Sequence, residues 1–149
     1  MIVTQDDETI DQILSSVESI CKKYPEKYWL ELDKAQSYPT EFVKSMTESG
    51  HLNALIPTKY GGAGLSLLIA ARILEKIHQS GCNAAAAHAQ MYTMGSILKY
   101  GSEAQKSKWL PLIAKGEVRL QAFAVSEPEA GTDTSSISTT AVRKENKYI

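Results

Sequence analysis

Apolar residues along this chain fall into helix-period blocks until near residue 119, where the period changes. Ile10, Ile13, Leu14, Val17, Ile20 and Cys21 recur at spacings of three and four. That stripe predicts an amphipathic helix with one inward face. Thr4 and Asp7 read as a capping pair at its start, with Asp6 and Asp7 near its positive end, and Pro25 stops it. The stretch "EKYWLELDKAQ" (26–36) predicts a shorter second helix that buries Trp29 and Leu32. Pro39 suits the first turn of a third. Phe42, Val43 and Met46 form that helix's inner face, and Gly50 is a left-handed terminator.

From Ser66 to Gln79 the chain is apolar nearly all round, which predicts a helix enclosed within a bundle. Asn83 can cap the next helix, "AAAAHAQMYTMGSILKY" (84–100), which Gly101 ends. Ser102 with Gln105 forms a capping box. It opens a helix carrying Trp109, Leu110 and Ile113 and closed by Gly116. Beyond this point "RLQAFAVS" (119–126) alternates, and "ISTTAVRKENKYI" (137–149) reads as a strand, a polar turn at Glu145–Asn146 and the start of a return strand. The predicted fold is therefore mainly α. A helical bundle over residues 1–118 is followed, over 119–149, by the first strands of a β-barrel-like domain. Strands with uncovered edges make a poor end to a domain, so the chain is expected to be a truncated piece of a longer protein.

Composition narrows the function classes. The 149 residues are 43% hydrophobic and 22% charged with a net charge of −1, ordinary for a globular domain. Dispersed basic residues predict no nucleic-acid partner, and no apolar stretch is long enough to span a bilayer. The acidic, polar start "MIVTQDDETI" is unlike a secretory or mitochondrial presequence. Cys21 and Cys82 sit beside apolar helical positions and are expected as buried thiols. His51, His78 and His88 each lack a second ligand at helical spacing, so no metal site is predicted. The glycine cluster in "IPTKYGGAGLS" (56–66) has no lysine followed by serine or threonine at the spacing of a phosphate loop. It reads as a compact turn where backbone passes close to backbone.

The loop "AVSEPEAGTDTSS" (124–136) is the chemically distinctive stretch. Ser126, Thr132, Thr134, Ser135 and Ser136 gather five hydroxyls, and Ala130–Gly131 leaves backbone amides uncovered. Both kinds of group donate to carbonyl and phosphate oxygens of a ligand. Hydroxyls also satisfy turn backbone, and chemistry alone leaves the two readings open. Glu127, Glu129 and Asp133 lack the alternation of a calcium loop.

Three segments, "IPTKYGGAGLS", "KYGSEAQKSKWLPLIAKGE" and "AFAVSEPEAGTDTSSISTTAVR", occur in an order and spacing that resemble the acyl-CoA dehydrogenase family over about residues 38 to 149. The resemblance implies FAD as cofactor and oxidation of an acyl-CoA thioester to the 2,3-enoyl-CoA. Electrons would leave through a carrier such as electron-transfer flavoprotein, or reach oxygen in the related acyl-CoA oxidases. A homo-oligomer, commonly a tetramer, is also implied, in a bacterial cytoplasm or the mitochondrial matrix. By that likeness Phe123, Ala124 and Val125 line the isoalloxazine edge, Ser126 places its hydroxyl near N5, and Gly131 and Thr132 meet the pyrophosphate. Thr132 also meets the bound thioester. The helix holding Met91, Tyr92, Met94 and Gly95 resembles the one that lines the acyl pocket. This chain has Glu129 where the family usually has glycine, and Ser126, which keeps the hydroxyl, in place of threonine. The family's proton-abstracting glutamate usually lies in a carboxy-terminal domain, so no catalytic base is assigned and the piece alone is expected to be inactive. A non-catalytic helical module of the same fold is the alternative.

Overall fold

A computed structural model describes residues 7–149, six α-helices followed by a largely extended tail. The helices are α1 (Asp7–Cys21), α2 (Glu26–Lys34), α3 (Thr40–Glu48), α4 (Leu67–Gln79), α5 (Ala85–Tyr100) and α6 (Glu103–Ala114). The Thr4–Asp7 capping pair lies outside the described residues. Two apolar centres hold these helices. In the first, Val17 and Ile20 of α1 meet Phe42 and Met46 of α3 and Ile73 and Ile77 of α4. In the second, Met94 of α5 packs with Leu110 and Ile113 of α6 and with Ile56 and Tyr60 from the α3–α4 connection. Burying such side chains contributes about 1.5–3 kcal/mol each, and the stripes that do so are those read from the sequence.

Local signals set several helix ends. Gly50 and Gly116 take left-handed φ angles of 78° and 77° after α3 and α6, where a side chain would be strained. Ser102 Oγ accepts from the Gln105 backbone N–H at 3.3 Å while Gln105 Oε1 accepts from the Ser102 N–H at 2.8 Å, completing the capping box of α6. The Asn83 side chain accepts from the Ala85 N–H at 2.8 Å in the turn before α5, whose N-cap residue is Ala84 with no side-chain cap.

Three expectations change. The α4 helix is one-sided rather than enclosed: Leu67 and Leu68 are 74% and 70% exposed, while Ile69, Ala70, Ile73 and Ile77 are buried. Leu67 and Leu68 lie on the outward side of the first turn, while Ile69 and Ala70 of the same turn face the core. The α2 helix buries no residue fully. Trp29 is half-covered, edge-on to Phe42 at 5.0 Å, with its indole N–H donating to the Tyr24 carbonyl at 3.1 Å. Residues 119–126 form no strand. Among the described residues no backbone group of that segment finds a ladder partner, and a strand is defined by such a partner. The hairpin further on does form, but short. Strands β1 (Arg143–Lys144) and β2 (Lys147–Tyr148) pair antiparallel around the turn at Glu145–Asn146.

Candidate functional site

The glycine cluster is structural. The amides of Ala63, Gly64 and Leu65 donate to the carbonyls of Asn53, Ile56 and Ala54 at 3.3, 2.8 and 2.7 Å. Amides used in this way cannot cradle a phosphate.

The segment from Arg119 to Phe123 instead lies along the helices and is fixed by every second side chain. Arg119 donates to Thr47 Oγ1 of α3 at 3.0 Å. Tyr38 in the α2–α3 connection donates its hydroxyl to Gln121 Oε1. The Phe123 ring meets Tyr92 of α5 edge-on at 5.6 Å, and Tyr92 in turn meets His88, one turn earlier, at 5.1 Å. Period-two alternation is thus present in the side chains although no ladder forms.

After Ser126 the chain closes on itself. The Glu127 N–H donates to the Ala130 carbonyl at 2.9 Å and the Ala130 N–H to the Glu127 carbonyl at 3.2 Å, which places Pro128 and Glu129 at the corner and buries Ala130. The Ala130 amide, expected to be uncovered, is therefore engaged. The Glu127 carboxylate reaches over the loop. Its Oε1 accepts from the Thr139 N–H at 2.9 Å and its Oε2 from the Ser138 N–H and hydroxyl at 2.9 and 3.1 Å. The Thr139 side chain and the two backbone amides hold its pKa down to about 2. Asp133 accepts from the hydroxyls of Ser135 and Ser136, the latter at 2.6 Å, and those bonds lower its pKa.

The two readings of the hydroxyl-rich loop therefore divide by residue. Ser135 and Ser136 satisfy the turn. Ser126 and Thr132 are exposed, and among the described residues their hydroxyls have no partner. Gly131 faces open space, since an added Cβ would meet nothing within 4 Å. Phe123 is 58% exposed. These exposed groups, an aromatic ring, hydroxyls and a bare backbone turn, are of the kinds that meet polar and phosphate-bearing ligands. The donors suit the oxygens and the glycine leaves room for close approach.

Helix α5 contributes less of its predicted surface. Met91 and Met94 are turned inward, into the first and second apolar centres, with exposures of 5% and 0%. Gly95 has open space at its Cβ position. The outward face of α5 carries Ala85, His88 and Tyr92, at the three- and four-residue spacing of one helical side. Beside it lies an open cavity of about 1060 Å³ between α2 and α5, lined by Trp29, Leu30, Ala85, Ala86, Ala89 and Gln121 among others. The family likeness named Met91, Tyr92 and Met94 together; the structure separates Tyr92, which meets Phe123, from the two inward methionines.

Residues 7–117 match the family model of the acyl-CoA dehydrogenase N-terminal domain. The chain belongs to the acyl-CoA dehydrogenase family. It is 34% identical over 121 residues to an acyl-CoA dehydrogenase of Bacillus subtilis, covering 79% of this chain and 31% of that protein. It is likewise 34% identical over 137 residues to the mitochondrial short-chain specific acyl-CoA dehydrogenase of Rattus norvegicus, covering 87% of this chain and 32% of the relative. The chain thus spans about a third of the length of these acyl-CoA dehydrogenases. An acyl-CoA dehydrogenase from Bacillus anthracis, solved in complex with FAD, superimposes on 95% of this chain and 25% of its own with a TM-score of 0.75 and 32% identity. Among the described residues no helix is long and apolar enough to cross a membrane, and no cluster of three or more metal-ligating side chains occurs.

Proposed function

We propose that this chain supplies the helical unit and the flavin-edge loop of a FAD-dependent acyl-CoA dehydrogenase that converts an acyl-CoA to its 2,3-enoyl-CoA. In this reading residues 1–118 are the amino-terminal helical domain and 119–149 open a β-rich middle domain. The observation that carries the reading is that Phe123, Ser126, Gly131 and Thr132 are all exposed, the two hydroxyls unengaged among the described residues, on a family-typical helical frame.

When bound, FAD supplies the electron-accepting ring for hydride from the substrate β-carbon. The chain's own residues bind and orient it. Phe123, Ala124 and Val125 would offer backbone groups to the ring edge, and the Ser126 hydroxyl would donate a hydrogen bond toward N5. Gly131 and Thr132 take the diphosphate, and Thr132 also meets the thioester. Met91, Met94 and Gly95 belong to the helix beneath the acyl group, the methionines acting from within the core that holds its face in place. Donors fixed in advance where negative charge grows stabilise that charge with little reorganisation. Glu127 and Asp133 brace the loop through their hydrogen bonds, and no catalytic role is assigned to them. A carboxylate outside these residues is expected to accept the substrate α-proton. An electron carrier such as electron-transfer flavoprotein and assembly into homo-oligomers complete the proposal.

The test is replacement of Ser126 and Thr132 together by alanine in the protein made from its whole reading frame. Each lost charge-assisted hydrogen bond is worth about 1.5–3 kcal/mol, so FAD retention and acyl-CoA turnover should fall at least about tenfold. Unchanged retention and turnover would remove the assignment.

A further inference from the structure

We propose that Tyr38 is a positioning residue for the flavin-edge segment and acts through Gln121 to hold Phe123 and Ser126 in place. The inference rests on the flavin reading above and adds to it a residue 83 positions earlier in the chain than its partner. Three relationships carry it. The first is how the segment is held. Among the described residues no backbone N–H or carbonyl of 119–126 has a backbone partner. Directed contacts come from side chains alone: Arg119 on Thr47 at 3.0 Å, Gln121 on Tyr38 and Phe123 on Tyr92. Leu120, at an alternate position, packs against the second apolar centre, a contact without the direction needed to fix register.

The second is the place of the tie. Gln121 lies two residues before Phe123, on the same side of an extended chain, and is the last hydrogen-bonded anchor before Ser126. The ring contact of Phe123 with Tyr92, edge-on at 5.6 Å, tolerates a range of distances and tilts that a hydrogen bond does not. A shift of about 1 Å at Gln121, passed along extended backbone, is enough to misplace a hydroxyl meant for one ring atom.

The third is the chemistry of the pair. The Gln121 Nε2 is shielded from solvent and has no partner among the described residues, so the Tyr38 hydroxyl on Oε1 is the one hydrogen bond of that side chain. Without it the amide is unpaired at both ends, and a shielded unpaired amide turns toward water. Tyr38 is itself firmly set. The Ser37 N–H before it donates to the Leu32 carbonyl at 3.0 Å, and its own carbonyl accepts from the Thr40 N–H at 2.8 Å. Pro39 follows it with φ −76°. The backbone is thus pinned on both sides of the tyrosine, while its ring is exposed and carries little of the core.

The experiment uses the FAD-loaded protein from the whole reading frame. The midpoint potential of the bound flavin, the FAD content and the thermal unfolding midpoint are measured for the wild type, Tyr38→Phe, Gln121→Met and the double variant. Tyr38→Phe keeps the ring and removes only the hydroxyl; Gln121→Met keeps the length and removes the acceptor. A hydrogen bond toward a ring that gains electrons on reduction is worth about tenfold. Each single variant should therefore lower the potential by about 30 mV, the two-electron equivalent of tenfold. The double variant should match the singles, because both substitutions break one tie. FAD content and unfolding midpoint should stay close to the wild type, since the tyrosine is at the surface; a merely structural role would move these and leave the potential alone. An unchanged potential in both single variants overturns the proposal, and so do shifts that add in the double variant. A wild type that holds no FAD overturns the flavin reading together with it, and differs plainly from an unmoved potential on a flavin-loaded protein.

Discussion

Glu127 and Ser138 stand eleven residues apart and share two hydrogen bonds, the carboxylate oxygen accepting from both the backbone N–H and the hydroxyl. With Thr139 on the other oxygen, this one side chain ties the start of the loop to its end. The folded loop holds the carboxylate ionised down to about 2, against an ordinary value of 4.5. An opened chain takes up the proton first, so the tie is fully present above 4.5 and is lost as pH falls from there toward 2. Protection of the Ser138 and Thr139 amides against hydrogen exchange, relative to an unstructured peptide at the same pH, should fall across that window. Glu127→Gln, which loses the charge, should already show fast exchange at neutral pH. Equal protection in the variant would contradict the tie.

Gly62 is the glycine whose missing side chain the fold needs most. A Cβ there would stand 2.6 Å from the Ile56 carbonyl carbon and closer still to its oxygen, and Ile56 is fully buried in the second apolar centre. Relief requires backbone movement, which typically costs about 1–3 kcal/mol. Gly62→Ala should lower stability in urea unfolding by an amount in that range. A change under about 0.5 kcal/mol, the usual span for a surface substitution, would show that the approach is looser than described.

His51 is buried, with its Nε2 3.1 Å from Ser16 Oγ, and burial lowers its pKa from the ordinary 6.5. The unfolded chain then binds the proton that the folded one resists, so stability should decline as pH drops below 6.5. Replacing His51 by glutamine should flatten that slope. An identical slope in the variant would place the titration elsewhere.

Cys21 and Cys82 are 61 residues apart in sequence, and the Cys82 thiol lies 3.7 Å from the Cys21 carbonyl. Burial first, then the neighbouring Cys82, pushes the Cys21 thiol up to about 12. Only the thiolate reacts readily. A water-soluble disulfide reagent at neutral pH should therefore label Cys21 in denaturant and leave it unlabelled in the folded protein. Prompt labelling of the native state would contradict that burial.

The sequence alone determined the helices, because each carries its own evidence within a few residues. The apolar stripe of α1, the capping box at Ser102 and the glycine stops at Gly50 and Gly116 act over one or two turns, the range in which chain neighbours dominate. Through long motifs it also marked the family, while it left the hydroxyl-rich loop open between ligand donor and turn. What it could not decide was which donors remain free. Ser126 and Ser135 look alike in the chain, yet Asp133 engages one while the other stays available.

Only tertiary packing settled questions of sidedness. Leu67 and Leu68 look as apolar as Ile73, but they fall on the outward side of α4 and stay in solvent. Residues 119–126 alternate as a strand does, but a ladder needs a second backbone that the described residues do not provide. The cavity over Ala85 and Ala89 exists because α2 and the segment at Gln121 approach the same side of α5. Local periodicity fixes which way side chains point about their own axis. What stands opposite them depends on contacts between residues far apart in the chain, and those no short stretch encodes.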